Sequence, residues 1–176
     1  RTRSSLADSL EDAAMSRAGV SARVGGRLVK LGSVPAATAE LVETSADVDA
    51  CLDGLEALVE GRPDLFASAG ADERWLPRLV AALGESRAVA DFWCRHPEYV
   101  GDLAEGSELS ELRTEAELRQ FMLGAKTPDE LRISYQRFLA VITALDAAGE
   151  VGFVTVSQLL ADIAMATLDA ALQIAR

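Results

Sequence analysis

Aromatic residues are scarce in this chain: they make up 5 % of 176 positions, although hydrophobic residues as a class make up 49 %. The core must therefore be built mainly of Ala, Leu and Val. Ala and Leu are strong helix formers, whereas strands draw on β-branched and aromatic residues, so this shortage argues against a sheet. The longest candidate strand, Val151-Gly152-Phe153-Val154, is short and broken by Gly. Cysteine is scarce too. Cys51 and Cys94 lie far apart and outside any CxxC. One disulfide is formally possible, but two reduced, buried thiols in a cytoplasmic protein is the reading adopted. Basic residues number 17 against 28 acidic ones, for a formal net charge of −11. That balance repels phosphate backbones and anionic membrane surfaces, so neither nucleic acid nor a membrane is expected as a partner. No uninterrupted apolar run approaches the roughly 18–20 residues that cross a bilayer. No apolar segment near Arg1 marks a secretory signal.

What is present is helical punctuation. The strongest start is Thr127-Pro128-Asp129-Glu130: a cap, Pro at the first helical position, and acids at the positive end of the dipole. From there Leu131, Tyr135, Phe138, Ile142 and Leu145 form a seam that ends at Gly149. The last stretch, Thr155 to Arg176, begins with Thr155 and Gln158 in capping-box spacing. Its apolar residues Leu160, Ile163, Ala164, Thr167, Leu168, Ala171, Ile174 and Ala175 predict one buried face, with Asp162, Asp169 and Gln173 opposite. These two helices, 128–148 and 155–175, are expected to form an antiparallel C-terminal hairpin.

Further signals lie upstream. A short helix is expected after Ser4 or Ser5, and another over Val24 to Leu31 with Gly32 as its stop. A third restarts near Pro35. Ser45 caps the next, with Asp47 and Asp49 in its first turn and Gly61-Arg62-Pro63 as its end. The segment Asp72 to Leu83 reads as a helix disturbed at Pro77 and stopped by Gly84. Ser86 then caps Arg87 to Arg95, and His96-Pro97 forces a break. Thr114 and Glu117 form a capping box, and Gly124 closes that helix. The fold class is thus all-α, a multi-helix bundle. Residues 23–176 read as one helical domain, and residues 1–22 as an N-terminal segment that the pattern does not place. The start at Arg1 and the lack of a stop after the last helix predict a piece of a longer reading frame.

Candidate chemistry is thin. Gly32-Ser33 followed by Asp47-x-Asp49 loosely fits a nucleotidyltransferase signature, in which a Gly-Ser pair approaches phosphates and two aspartates hold Mg²⁺. That chemistry needs a strand beneath the aspartates; here they stand at a helix start, so cap and first turn is the preferred reading. His96, the only histidine, reads as a helix-end residue. Asp102, Glu105, Glu108 and Glu111 read as a solvated surface rather than an acid/base pair. Trp75, Phe92, Trp93 and Tyr99 read as core anchors. There is no Walker loop, no GxGxxG after a strand and no nucleophile motif.

Two stretches carry a resemblance. One is Leu83-Gly84-Glu85-Ser86-Arg87-Ala88-Val89-Ala90-Asp91-Phe92-Trp93-Cys94-Arg95-His96-Pro97-Glu98-Tyr99. The other combines Leu131-Arg132, Tyr135, Arg137, Leu139 and Asp146 with Val154-Thr155, Leu159-Leu160-Ala161-Asp162-Ile163-Ala164 and Leu168-Asp169-Ala170-Ala171-Leu172. Together with the Arg27-Leu28-x-x-Leu31-Gly32 element, they resemble the N-terminal helical region of the bifunctional glutamine synthetase adenylyltransferase/adenylyl-removing enzymes, actinobacterial forms in particular. The likeness covers about residues 23–176. Ile133-Ser134 and Thr143-Ala144 depart from the family's more basic segment.

The resemblance implies a parent with two fused nucleotidyltransferase units. One moves AMP from ATP to a tyrosine of glutamine synthetase; the other removes it with phosphate, giving ADP. It implies ATP and Mg²⁺ as the parent's cofactors, and glutamine synthetase and the PII signal protein as its partners. The family's first catalytic motif, Gly-Gly-x-Glu-Leu followed by Ser-Asp-x-Asp, comes after the helix matching 155–175. No catalytic, cofactor-binding or metal-binding residue of the family therefore carries over to this chain. The expectation is a helical fragment that precedes an absent nucleotidyltransferase core and is inactive alone. The alternative is a stand-alone helical protein-interaction domain with no enzymatic role.

Overall fold

Every regular element among the described residues is a helix. The computed structural model describes residues 15, 17–32, 35, 37–68, 74–104 and 114–176. Helix α1 spans residues 17–28 and tightens into a 3-10 turn, Val29–Leu31, closed by Gly32 at φ 85°. Then come α2 (Ala37–Glu43), α3 (Val48–Gly61) and the single turn α4 (Leu65–Ser68). They are followed by α5 (Trp75–Glu85), α6 (Arg87–Arg95) and a 3-10 segment, Pro97–Leu103. The chain ends with α7 (Glu115–Leu123), α8 (Pro128–Ala147) and α9 (Phe153–Ile174). The helix expected after Ser4 or Ser5 falls largely outside the described residues, as does Ser33.

The caps explain most boundaries. Ser86 Oγ accepts from the Val89 N–H at 3.4 Å, and Thr127 Oγ1 accepts from the Glu130 N–H at 3.2 Å. At α7 the capping box is complete. Thr114 Oγ1 accepts from the Glu117 N–H at 3.3 Å, while the Glu117 carboxylate accepts from the Thr114 N–H at 2.9 Å. Such bonds satisfy N–H groups that a helix start otherwise leaves without partners.

Four local expectations need correction. Asp47, not Ser45, caps α3: its carboxylate accepts from the Ala50 N–H at 2.9 Å, and the Ser45 hydroxyl instead donates to the Val42 carbonyl at 2.8 Å. Gly84 does not stop α5, which runs on to Glu85. A Cβ there would lie 3.0 Å from that of Ser45, so the glycine lets α5 pass close to the end of α2. Pro77 causes no break, because it is the third residue of α5, where no i→i−4 bond is yet due. The fourth correction concerns α9. Gly152 is its N-cap and Phe153 its first residue, so Thr155 and Gln158 lie inside the helix and make no capping box.

The core is one continuous cluster. Helix α8 sits within it, packed against α5, α6, α7, α9 and the 3-10 segment. Its predicted seam is inside: Leu131, Phe138, Ile142 and Leu145 are buried and Tyr135 is half-buried. Helix α3 packs on α5 and α6, with Gly54 set against Leu83. The C-terminal hairpin is only part of the story. Helices α8 and α9 touch, joined through Gly149 at φ 71°, but α9 packs more extensively on α7. It buries Leu159, Ile163, Ala166 and Ala170; of the expected stripe Ile163 is buried as predicted, whereas Leu160 and Leu168 face solvent. Helix α9 is apolar on two sides, so periodicity alone could not choose between them; the contact with α7 does.

Candidate functional site

The sequence candidates scatter. Asp47 is committed to the α3 cap, and the Asp49 carboxylate lies 3.3 Å from Arg23 Nη1 on α1. Gly32 closes a 3-10 turn, and among the described residues no strand underlies the aspartates. Among the described residues, no group of three His, Cys, Asp or Glu side chains is placed to hold a metal ion. His96 ends α6, its backbone N–H donating to the Phe92 and Trp93 carbonyls, with Nδ1 3.4 Å from the Glu98 carboxylate. Trp75, Phe92 and Trp93 are buried anchors of the core, and half-buried Tyr99 packs against it. Trp75 pairs with Phe66 at 6.0 Å, and Tyr99 stacks on Phe92 at 6.1 Å.

The acidic surface reading is corrected at Asp102. Both its oxygens accept from Arg137, each at 2.9 Å, and its side chain is only 16 % exposed. Arg137 also lies 4.4 Å from the Tyr99 ring centre and 5.7 Å from that of Phe121, so one guanidinium holds the 3-10 segment and α7 to α8. Glu105, Glu108 and Glu111 lie outside the described residues.

The sequence reading missed a second arginine. Arg78 stands in the apolar stripe of α5 with a side chain 5 % exposed. Its Nε and Nη2 donate to the two oxygens of Glu150, each at 2.7 Å, and Nη1 donates to the Leu103 carbonyl at 2.6 Å. A planar fork suits this bidentate task, which Lys could not perform. Nothing local in the sequence marks the pair, because its partners are 72 residues apart. Near the N-terminus, Arg27 joins α1 to α3 through Glu56 and Asp53. The hydrogen bond from Arg27 holds the Glu56 carboxyl below its ordinary value.

Two grooves remain. One, of about 400 Å³, lies between α3 and α6, lined in part by Asp47, Asp49, Asp53, Asp91, Arg87 and Cys94. The other, of about 410 Å³, runs along α7 beside Ala116, Arg119 and Leu123. Neither unites a nucleophile with a base. Both thiols are free. Burial pushes the Cys51 thiol up to about 12, and burial beside Asp91 also raises Cys94. A thiolate is the reactive form. In the folded protein at pH 8, a thiol reagent is therefore expected to modify the half-exposed Cys94 slowly and Cys51 only after unfolding. Equal native rates for both would refute the placement of Cys51.

No family model and no solved structure matches the chain. Curated relatives do. The bifunctional glutamine synthetase adenylyltransferase/adenylyl-removing enzyme of Streptomyces coelicolor is 34 % identical over 142 residues, covering 77 % of this chain. That of Streptomyces avermitilis is 35 % identical over 151 residues, covering 78 %. The chain spans 14 % of the length of each. Over that one segment, the chain is similar to the glutamine synthetase adenylyltransferase/adenylyl-removing enzymes.

Proposed function

We propose that this chain is the non-catalytic, helical N-terminal region of an enzyme that adenylylates and deadenylylates glutamine synthetase, and so regulates nitrogen assimilation. The observation that carries this reading is the 34–35 % identity to enzymes of which the chain spans only 14 %. In the parent, ATP and Mg²⁺ would serve the nucleotidyltransferase units. The chain's own acid pair, Asp47 and Asp49, is occupied by a cap and an ion pair and does not fit a metal site. Glutamine synthetase is the proposed substrate partner, PII the proposed regulator and the cytoplasm the proposed location. The helical bundle would buttress the adjoining adenylyl-removing core.

The test is to assay AMP transfer from ATP to glutamine synthetase, and its phosphorolytic removal, with the 176-residue chain and with the polypeptide encoded by its parent gene. Activity confined to the longer polypeptide is expected. Activity in the short chain overturns the non-catalytic role, and inactivity of both overturns the enzyme assignment. A stand-alone interaction domain is the second reading, favoured by the exposed apolar side of α9. A parent frame that ends at Arg176 would put it first.

A further inference from the structure

Helix α9 has two apolar sides, and the bundle covers only one of them. Leu159, Ile163, Ala166 and Ala170 are buried in the bundle. Away from them, Phe153 is 83 % exposed, Met165 60 %, Leu168 61 % and Leu172 59 %, with Leu160 at 39 %. At about 100° per residue, these positions lie on a stripe turned well away from the buried one. The charged residues of α9 are Asp162 and Asp169, both half-buried, and Asp169 is held by Arg119 of α7 at 2.9 Å. The exposed stripe therefore carries no charge. Ala161, Ala164 and Ala171 are exposed within it, so another helix could approach closely. The stripe sets five large exposed apolar side chains along one helix, more than the scattered single hydrophobic residues normal on a monomer's surface.

We propose that this stripe is the docking surface for an apolar helical face of the remaining polypeptide of the parent enzyme, a proposal that rests on the functional reading above. The matched relatives have most of their length outside the segment this chain spans, which is 14 %. A second copy is a poorer occupant, because a formal net charge of −11 makes the chains repel one another. A bilayer is poorer too. Contrary to the expectation from uninterrupted runs, α9 is long and apolar enough to cross a membrane by length and composition. Yet its buried stripe is already packed in the bundle, and Asp162 and Asp169 would enter the lipid.

The test places Leu168→Cys in a Cys94→Ser background and measures maleimide labelling in the 176-residue chain and in the full-length polypeptide. The substitution alters an exposed side chain, and far-UV helicity checks that folding is retained. Labelling at least ten-fold slower in the full-length polypeptide is expected. Equal rates overturn the proposal. So does slow labelling of the short chain that speeds up on dilution, which means a second copy. Co-sedimentation of the short chain with phosphatidylcholine vesicles means lipid and overturns it too. AMP transfer measured on the same full-length preparation separates the two readings. Fast labelling of an active polypeptide sinks the docking surface alone, and slow labelling of an inactive one sinks the enzyme assignment alone. A parent frame ending at Arg176 removes the occupant and overturns both.

Discussion

Phe138→Ala is expected to destabilise the fold by about 3–5 kcal/mol, the range for emptying a buried aromatic site. Phe138 is 2 % exposed and lies on α8, the helix in contact with α5, α6, α7 and α9. With neighbours on so many sides, no single element can relax into the space, so most of the cavity should persist. The loss is a large share of the roughly 5–15 kcal/mol that holds a domain together. Urea unfolding of the wild type and the variant would measure it. A difference within about 0.5 kcal/mol would mean that the ring is not packed where the fold places it. Phe138→Leu should cost less, because it keeps most of the apolar contact.

The second large effect is expected at the Arg78–Glu150 pair, and it should be asymmetric. Glu150→Ala removes the carboxylate that takes two bonds from a guanidinium with 5 % side-chain exposure, the Leu103 carbonyl remaining among its partners. Removing one partner of a buried pair costs on the order of 3–5 kcal/mol. The Glu150 side chain is 30 % exposed, so some solvation of the pair already exists and about 2–4 kcal/mol is expected here. Arg78→Met should cost less, because the carboxylate it leaves behind can be reached by water and Met fills an apolar stripe. The double variant should be no worse than Glu150→Ala alone. Denaturant melts of all three would decide it. A larger loss in Arg78→Met than in Glu150→Ala would show that partners of Arg78 other than Glu150, the Leu103 carbonyl among them, carry most of its contribution.

Much of the local structure was legible because its causes are local. Ser86, Thr114 and Thr127 each bond to a backbone N–H three residues on, so cap and partner are read from one short window. His96-Pro97 breaks the chain for an equally local steric reason. The misplaced boundaries show the limit of that window. Ser45 and Asp47 are both competent caps, and the choice between them depended on the Val42 carbonyl drawing the Ser45 hydroxyl away. Gly84 looked like a stop because glycine often ends helices, whereas its use here is to admit Ser45 of another element. The candidate site was legible only in the negative sense that the aspartates were read as helix-start residues. Arg78 and Arg137, which do organise buried polar contacts, carried no signal.

The sequence by itself determined that the chain is helical, where most helices start, and which family it is related to; each follows from composition, caps or matched runs along the chain. Tertiary structure alone decided which side of α9 is buried, that α7 and not only α8 covers it, and that Arg78 meets Glu150 across 72 residues and Arg137 meets Asp102 across 35. The reason is physical. Caps and propensities act within one turn of chain, whereas burial and ion pairing depend on which elements come together, and a helix apolar on two sides offers no preference until a neighbour takes one of them.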